Sequence, residues 1–237
     1  MNFKSHIPNF LTCINLTCGC AAIPLALAGD LSQLAWASCL IGIASLFDFF
    51  DGLAARALHV YSEFGKQLDS LADMVSFGVV PGLILYEIIL INSHGAFDWM
   101  AYSGLLIPLF SALRLAKFNI DINQSESFIG LPTPANALFI GSLPLIIIFD
   151  EYQLGTFIGQ PITLSIISVV LAFLLVSPLK LFSLKMKSPG WKNNKLQYVF
   201  LVMSLLIIAV FHFIAIPIIV ILYLIVSTVN IVFKPSD

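Results

Sequence analysis

Long apolar segments follow one another along almost the whole chain. A membrane-spanning helix needs about 20 mostly apolar residues, and segments of this kind recur throughout the 237 residues. The eight predicted spans are roughly 8–29, 32–58, 67–92, 97–117, 134–150, 161–181, 196–212 and 214–233. This succession predicts an all-α integral membrane protein with about eight transmembrane helices.

The composition agrees with a lipid environment. Hydrophobic residues make up 59% of the chain and charged residues only 10%, and the mean hydropathy is +0.99. A soluble domain carries roughly a quarter charged residues, so this chain cannot cover itself with polar surface. The connections between the spans are short, and no large soluble domain or nucleic-acid-binding module is expected.

The basic residues indicate the orientation. If the N-terminus is cytoplasmic, every Lys and Arg lies in or beside a cytoplasmic segment: Lys4, Arg56, Lys66, Arg114, Lys117, Lys180, Lys185, Lys187, Lys192, Lys195 and Lys234. The opposite connections hold Asp30, His94, Asp98, Asp150 and Glu151. This is the distribution that the positive-inside rule describes. It predicts a multi-pass protein of the inner cell membrane with both termini in the cytoplasm.

Four aspartates interrupt the apolar pattern at helical spacings. Asp48 and Asp51 are three residues apart, and Asp69 and Asp73 are four apart, so each pair shares a helix face. The turn at about 59–66 folds the second and third spans antiparallel, which can bring the two faces together. Carboxylates at short range need counter-charge, and all-oxygen ligation suits Mg²⁺ or Mn²⁺. The pattern predicts a site for two divalent ions just inside the cytoplasmic boundary.

Small and basic residues accompany these aspartates. Gly52 and Gly65 leave room for a bulky ligand beside the backbone, and Arg56 can hold a phosphate with its planar set of donors. In the alternative interpretation, the aspartates stand at wet helix ends and are neutralised by Arg56 and Lys66. Four carboxylates at paired spacings, with glycines between them, favour a functional site.

A polar stripe runs along the first span. Asn9, Thr12 and Asn15 recur every three residues on an otherwise apolar helix. Such a stripe either bonds to a neighbouring helix or faces a ligand pocket. The residues alone leave both roles open.

The run from Asp48 to Asp73 resembles the signature of the CDP-alcohol phosphatidyltransferase family. All its fixed positions are present: Asp48, Asp51, Gly52, Ala55, Arg56, Gly65, Asp69 and Asp73. The resemblance implies a helical, usually dimeric membrane enzyme that transfers the phosphatidyl group of a CDP-linked lipid to an alcohol and releases CMP. It implies that the four aspartates bind two divalent ions and that Asp73 is also the catalytic base. The residues implied to line the CDP site are Gly52, Ala55, Arg56, Gly65, Asn9 and Thr12.

Three flanking stretches, 7–15, 64–78 and 114–119 followed by 128–135, are similar to the branch of the family that uses serine as the acceptor. This similarity implies CDP-diacylglycerol and L-serine as substrates. It also implies that Ser76, Arg114 and Lys117 bind the acceptor, although the two basic residues can equally reach lipid phosphates at the interface. We expect one membrane domain over 1–237, with a catalytic core at about 7–150 and additional spans at about 160–233.

Two other functions are open at this point. The acceptor could be glycerol phosphate or inositol phosphate, and a basic pocket containing Arg114 and Lys117 would suit either. A cation-coupled transporter could also carry aspartates within its spans. However, these carboxylates lie near one surface, and the chain has no internal repeat of the kind found in many transporters.

Overall fold

The fold is a bundle of helices, seen in a computed structural model that describes residues 6–60, 62–120, 128–182 and 194–233. The α-helices are α1 (His6–Ala26), α2 (Leu31–Ala57), α3 (Glu63–Asp73), α4 (Val80–Ser93), α5 (Leu106–Ile120), α6 (Thr133–Phe149), α7 (Gly155–Ile158), α8 (Pro161–Val176), α9 (Lys195–Phe211) and α10 (Ala215–Phe233). A π-helix (Met74–Val79) joins α3 to α4. The 3₁₀ helices are Asp98–Leu105, Glu151–Gln153 and His212–Ile214.

Among the described residues, five helical segments are long and apolar enough to cross a membrane: His6–Ala26, Leu31–Ala57, Glu63–Ser93, Asp98–Ile120 and Lys195–Val229. Two further apolar helices, α6 and α8, are shorter, with 17 and 16 residues. The last long segment contains two of the predicted spans, because the 3₁₀ helix at His212–Ile214 separates α9 from α10. Each predicted span therefore has a helical counterpart, and the predicted class of an all-α membrane protein is confirmed.

One pair of very short strands lies among the helices. β1 (Phe128–Ile129) and β2 (Lys180–Leu181) pair antiparallel, with Ile129 opposite Lys180. The pairing joins the segment before α6 to the segment after α8. It does not change the fold class, since each strand has only two residues.

The buried core is continuous through the bundle. Its wholly buried residues come from successive helices and include Ala22, Leu34, Ile84, Ile140 and Ala172. The outer surface is apolar as well: on α2, Phe49 is 58% exposed, Phe50 48% and Leu53 47%. Lipid solvates such a surface, because only a bilayer tolerates so many exposed apolar side chains.

An aspartate and a serine at helix starts explain where α2 and α3 begin. The side chain of Asp30 accepts from the backbone N–H of Gln33 and caps α2. The side chain of Ser62 accepts from the N–H of Gly65 at 3.0 Å and caps α3. A capping side chain satisfies one of the free N–H groups of the first turn. The third span therefore begins at Glu63, before the predicted residue 67.

α1 passes very close to the π-helix. A Cβ atom added at Gly19 would lie 3.0 Å from the Cα atom of Ser76, so only glycine allows this approach. The Ser76 hydroxyl donates to the backbone carbonyl of Asn15 at 3.1 Å. The contact fixes α1 against the segment that directly follows Asp73.

Candidate active site

The carboxylates of α2 and α3 meet between the two helices. Asp48, Asp51 and Asp69 each place an oxygen atom so that all three atoms lie within 4.8 Å of one another. Asp73 is outside this group of three, but its carboxyl group lies beside that of Asp48. The helical spacings predicted this meeting, because each pair shares one helix face.

The first helix contributes a hydrogen bond to the cluster. The hydroxyl of Thr12 donates to Oδ2 of Asp51 at 2.7 Å, and its distance to the carbonyl of Pro8 is longer, at 3.1 Å. Asp51 is only 6% exposed. Thr12 therefore orients a buried carboxylate on another helix.

The donor set of the cluster fits a divalent metal ion. Oδ1 of Asp69 and Oδ1 of Asp73 are both buried and have no hydrogen-bond partner. The charged groups that act on Asp73 are the three other aspartates. Buried carboxylate oxygens without donors require a counter-charge, and an all-oxygen set matches hard divalent cations. The acidic cluster is therefore suited to bind a divalent metal.

A cavity of about 510 Å³ opens directly beside the aspartates. Its lining residues are Pro8, Asn9, Thr12, Asp51, Gly52, Ala55, Val60, Ser62, Glu63, Gly65, Lys66 and Asp69. The volume is within the range of small-molecule sites. It combines the start of α1, the end of α2 and the start of α3, so the cavity and the acidic cluster form one site.

Five of the residues predicted for the CDP site line this cavity: Asn9, Thr12, Gly52, Ala55 and Gly65. The two glycines have different surroundings. A Cβ atom at Gly65 would meet Oδ1 of Asn9 at 2.9 Å and Oγ of Ser62 at 3.0 Å, whereas one at Gly52 would meet nothing within 4 Å. Gly65 thus allows α1 and α3 to approach each other, and Gly52 leaves open space on the cavity wall.

Arg56, the sixth residue predicted for that site, does not line the cavity. Its side chain is exposed, and its Nε donates to the carbonyl of Gly52 at 2.9 Å. This bond stays within the last turns of α2. Ala55, the residue before Arg56, lines the cavity, whereas the hydrogen bond of Arg56 is directed along its own helix.

The three residues predicted to bind the acceptor do not form one site, because Ser76 lies apart from Arg114 and Lys117. Ser76 is wholly buried and already donates to Asn15. Nη1 of Arg114 donates to the carbonyls of Ile129 at 2.7 Å and Leu175 at 2.9 Å. Lys117 is exposed and shares with Arg114 a separate small cavity of about 20 Å³. None of the three lines the larger cavity.

Some residues of the site were not identified from the sequence. Glu63 and Lys66 line the cavity, although neither was predicted to belong to the ligand site. Nζ of Lys66 donates to the backbone carbonyl of Asn119 at 3.1 Å, and the Asn119 amide donates to Ser70 at 2.8 Å. Glu63 and Lys66 lie within two residues of Gly65, and this closeness to a predicted site residue was the signal that could have identified them.

The fold and the site together define a polytopic membrane protein with an acidic centre beside a cavity. The chain belongs to the CDP-alcohol phosphatidyltransferase family, whose pattern matches residues 5–177. It is therefore an enzyme of the phosphotransferase class. The matched region extends beyond the predicted catalytic core at 7–150.

Curated relatives agree with the family assignment. The CDP-diacylglycerol–serine O-phosphatidyltransferase of Bacillus subtilis is 34% identical over 180 residues, which cover 74% of this chain and 89% of the relative. The enzyme of the same name from Methanocaldococcus jannaschii is 33% identical over 209 residues, or 87% of this chain and 86% of the relative. The archaetidylserine synthase of Methanothermobacter thermautotrophicus is 33% identical over 170 residues, covering 69% and 68%.

Proposed function

We propose that this protein transfers the phosphatidyl group of CDP-diacylglycerol to the hydroxyl of L-serine. In this reaction the serine oxygen forms a bond to the lipid-linked phosphorus, and the bond from that phosphorus to the bridging oxygen breaks. CMP leaves, and the serine hydroxyl loses its proton. The observation that carries the proposal is the cavity of about 510 Å³ that opens onto three converging carboxylates.

We assign the metal site to Asp48, Asp51, Asp69 and Asp73. Two bound divalent ions, Mg²⁺ or Mn²⁺, would supply positive charge to the diphosphate and to the leaving phosphate. The unpartnered oxygens of Asp69 and Asp73 support this role. Thr12 donates a hydrogen bond to Oδ2 of Asp51. This bond fixes the orientation of the carboxylate.

We assign the proton acceptor to Asp73. A general base must reach the proton that it removes, and the carboxyl group of Asp73 lies beside that of Asp48 in the acidic cluster. The carboxylate would take the proton of the serine hydroxyl as that oxygen attacks phosphorus. The proton then resides on an oxygen of Asp73 until it passes to water.

The large cavity is the proposed binding site for the CDP group. Asn9, Gly52, Ala55 and Gly65 surround it with amide, backbone and methyl groups, and the open space at Gly52 would admit the nucleotide. Lys66, on the same wall, offers a cation for phosphate. Arg56 could join them only if its side chain leaves the carbonyl of Gly52.

Serine is proposed as the acceptor because the relatives with broad coverage are named for serine transfer. The branch-specific stretches at 64–78, 114–119 and 128–135 agree with this choice. A phosphorylated acceptor would need free cationic donors, and Nη1 of Arg114 is already shared between two carbonyls. In this proposal Arg114 has a structural role, since it joins Ile129 to the end of α8.

We also propose that the site faces the cytoplasm of the inner membrane and that the protein forms a homodimer. The distribution of Lys and Arg supports the orientation, and the family resemblance supports the dimer. Residues 1–237 would act as one domain, because one buried core includes side chains from α1, α2, α4, α6, α8 and α10.

The direct test is an acceptor assay on the purified protein. CDP-diacylglycerol is supplied with serine, glycerol 3-phosphate or inositol phosphate, and CMP release is measured with Mg²⁺ and Mn²⁺ and after EDTA treatment. We expect release with serine alone, and its loss with EDTA. Release with glycerol 3-phosphate but not serine would contradict the acceptor, and full activity in metal-free buffer would contradict the metal site.

Asp69→Asn tests the metal site separately from the stability of the fold. The variant should require far more Mg²⁺ for half-maximal activity, because an amide is a poorer ligand than a carboxylate. Asp30→Asn is the matched control, since it removes a carboxylate from the start of α2 and still offers a capping oxygen. Equal Mg²⁺ dependence in the two variants would exclude Asp69 as a ligand.

A further inference from the structure

Asn15 is a completely buried amide without a hydrogen bond. Its side chain is 0% exposed, and neither Nδ2 nor Oδ1 has a partner. Leaving such a buried group unpaired costs about 1–3 kcal/mol, and the large majority of buried polar side-chain atoms are paired. This cost favours a role for the Asn15 amide beyond packing.

Two contacts along α1 show which residue of the third span lies beside Asn15. Towards the start of both helices, a Cβ atom at Gly65 would be 2.9 Å from Oδ1 of Asn9. Further along, the Ser76 hydroxyl donates to the backbone carbonyl of Asn15. α1 and α3 therefore run side by side in the same direction, and Asn15 lies at the level of Asp73.

The direction of its side chain follows from helix geometry. The Cα–Cβ bonds of an α-helix tilt towards its N-terminus, whereas the carbonyls point towards its C-terminus. The carbonyl of Asn15 meets Ser76, so its carboxamide is directed back towards Thr12. Thr12 in turn bonds to Asp51, which places the Asn15 amide on the side of the acidic cluster.

Asp73 lacks the kind of group that Asn15 offers. Its Oδ1 atom is buried and unpartnered, and the charges that act on it come from Asp48, Asp69 and Asp51. An N–H donor orients a carboxylate without adding a charge to a site that must also hold cations. Hydrogen bonds in unliganded sites are often long and shorten once substrates bind.

We propose that Asn15 positions Asp73 by donating a hydrogen bond from its Nδ2 atom to Oδ1 of that carboxylate in the substrate-loaded enzyme. This inference rests on the proposed role of Asp73 as proton acceptor. Asn15 itself touches neither the proton nor the phosphorus. A carboxylate oxygen has two lone pairs, so Oδ1 can accept this bond and still ligate an ion. The other oxygen of Asp73 is held in the direction of the acceptor hydroxyl, and the Ser76 bond to the backbone of Asn15 fixes the position of α1.

Two substitutions test this role. Asn15→Leu removes the amide at nearly constant volume, and Asn15→Asp keeps the shape but loses the N–H donor. Because general-base catalysis contributes about 10²–10⁴-fold, we expect kcat to fall by at least about 30-fold in both variants. KM for CDP-diacylglycerol and serine, and the Mg²⁺ concentration for half-maximal activity, should stay within about threefold in Asn15→Leu.

Thermal unfolding of the metal-free protein is the second measurement. Replacing an unpaired buried amide by an apolar side chain should leave Tm unchanged or raise it. Asn92→Leu is the control: its amide bonds to the Ile88 carbonyl of its own helix at 2.8 Å, away from the aspartates. We expect that variant to keep the wild-type kcat.

The outcomes are distinct. Wild-type kcat in Asn15→Leu overturns the inference, and so does a fall of Tm that accompanies the loss of kcat, because that pattern assigns Asn15 to packing. A large increase in the Mg²⁺ requirement with unchanged kcat would assign the amide to the ions and also overturn it. If the wild type turns over another alcohol but not serine, the proposed acceptor fails, and Asn15 is judged with that alcohol.

Discussion

The hydroxyl of Thr12 donates a 2.7 Å hydrogen bond to Oδ2 of Asp51, 39 residues further along the chain. The bond joins the first helix to the acidic cluster of the second. It gives the polar stripe on α1 a definite role, since Asn9 lines the same cavity and Asn15 lies one turn beyond Thr12. The first helix is therefore part of the candidate active site.

Thr12→Val should weaken metal binding. The variant keeps the branched shape but loses the donor, so the Asp51 carboxylate can rotate away from its ligand direction. We expect the Mg²⁺ concentration for half-maximal activity to rise about tenfold and the free energy of unfolding to fall by about 1.5–3 kcal/mol, the range for a hydrogen bond to a charged group. Thr17→Val is the control, because Thr17 donates to the carbonyl of Cys13 within α1. An unchanged Mg²⁺ requirement in Thr12→Val would show that the bond is dispensable.

Gly52→Ala should separate stability from substrate binding. The added methyl group would meet no protein atom within 4 Å, and Ala is favoured over Gly in a helix by about 1 kcal/mol. Tm should therefore stay the same or rise, while KM for CDP-diacylglycerol increases because the methyl group enters the cavity. Gly42→Ala also meets nothing within 4 Å and is outside the cavity, so it should show the stability change alone. Equal KM values in the two variants would remove Gly52 from the binding site.

Arg114→Lys should lower stability more than Lys117→Ala. Nη1 of the guanidinium donates to two backbone carbonyls, those of Ile129 and Leu175. The ammonium of a Lys side chain ends one bond short of this position and cannot make both bonds in the same geometry. We expect Arg114→Lys to lose about 1–3 kcal/mol of unfolding free energy, because two partly buried acceptors lose a charged donor. The exposed Lys117 should contribute little. Calorimetry in detergent gives both values, and equal Tm values would contradict the structural role of Arg114.

Cysteine labelling tests the orientation. In a background without the four native cysteines, Ala96→Cys and Lys187→Cys are treated with a membrane-impermeant thiol reagent in intact cells and in inverted vesicles. The positive-inside distribution predicts that residue 187, which lies outside the described residues, reacts only in inverted vesicles, and that residue 96 reacts only in intact cells. Reaction of both residues from one side would contradict the span count.

The acidic cluster was predictable because helical spacing determines which side chains share a face. Each pair, Asp48 with Asp51 and Asp69 with Asp73, occupies one helix face. A short turn makes the second helix run antiparallel beside the first. The apolar spans were equally clear, since their length matches the bilayer. These features depend on residues that are close in sequence.

The contacts between helices were not predictable in the same way. Spacing within one helix does not determine the register of the next, so neither the bond from Thr12 to Asp51 nor the one from Ser76 to Asn15 could be derived. Ser76 was interpreted as a residue near the acceptor, and in the structure its hydroxyl is already used. The π-helix at Met74–Val79 is a further example, because no single residue marks the extra backbone width of such a segment.

The exposed faces of Phe49, Phe50 and Leu53 have a consequence for product release. On α2 these side chains occupy the face opposite Asp48 and Asp51. The same helix therefore borders the hydrocarbon on one side and the acidic centre on the other. In the proposed reaction the lipid product can diffuse away sideways in the bilayer, while CMP dissolves in water. The two products then enter different phases, and they meet again at the site only as often as a membrane solute and an aqueous solute collide by chance.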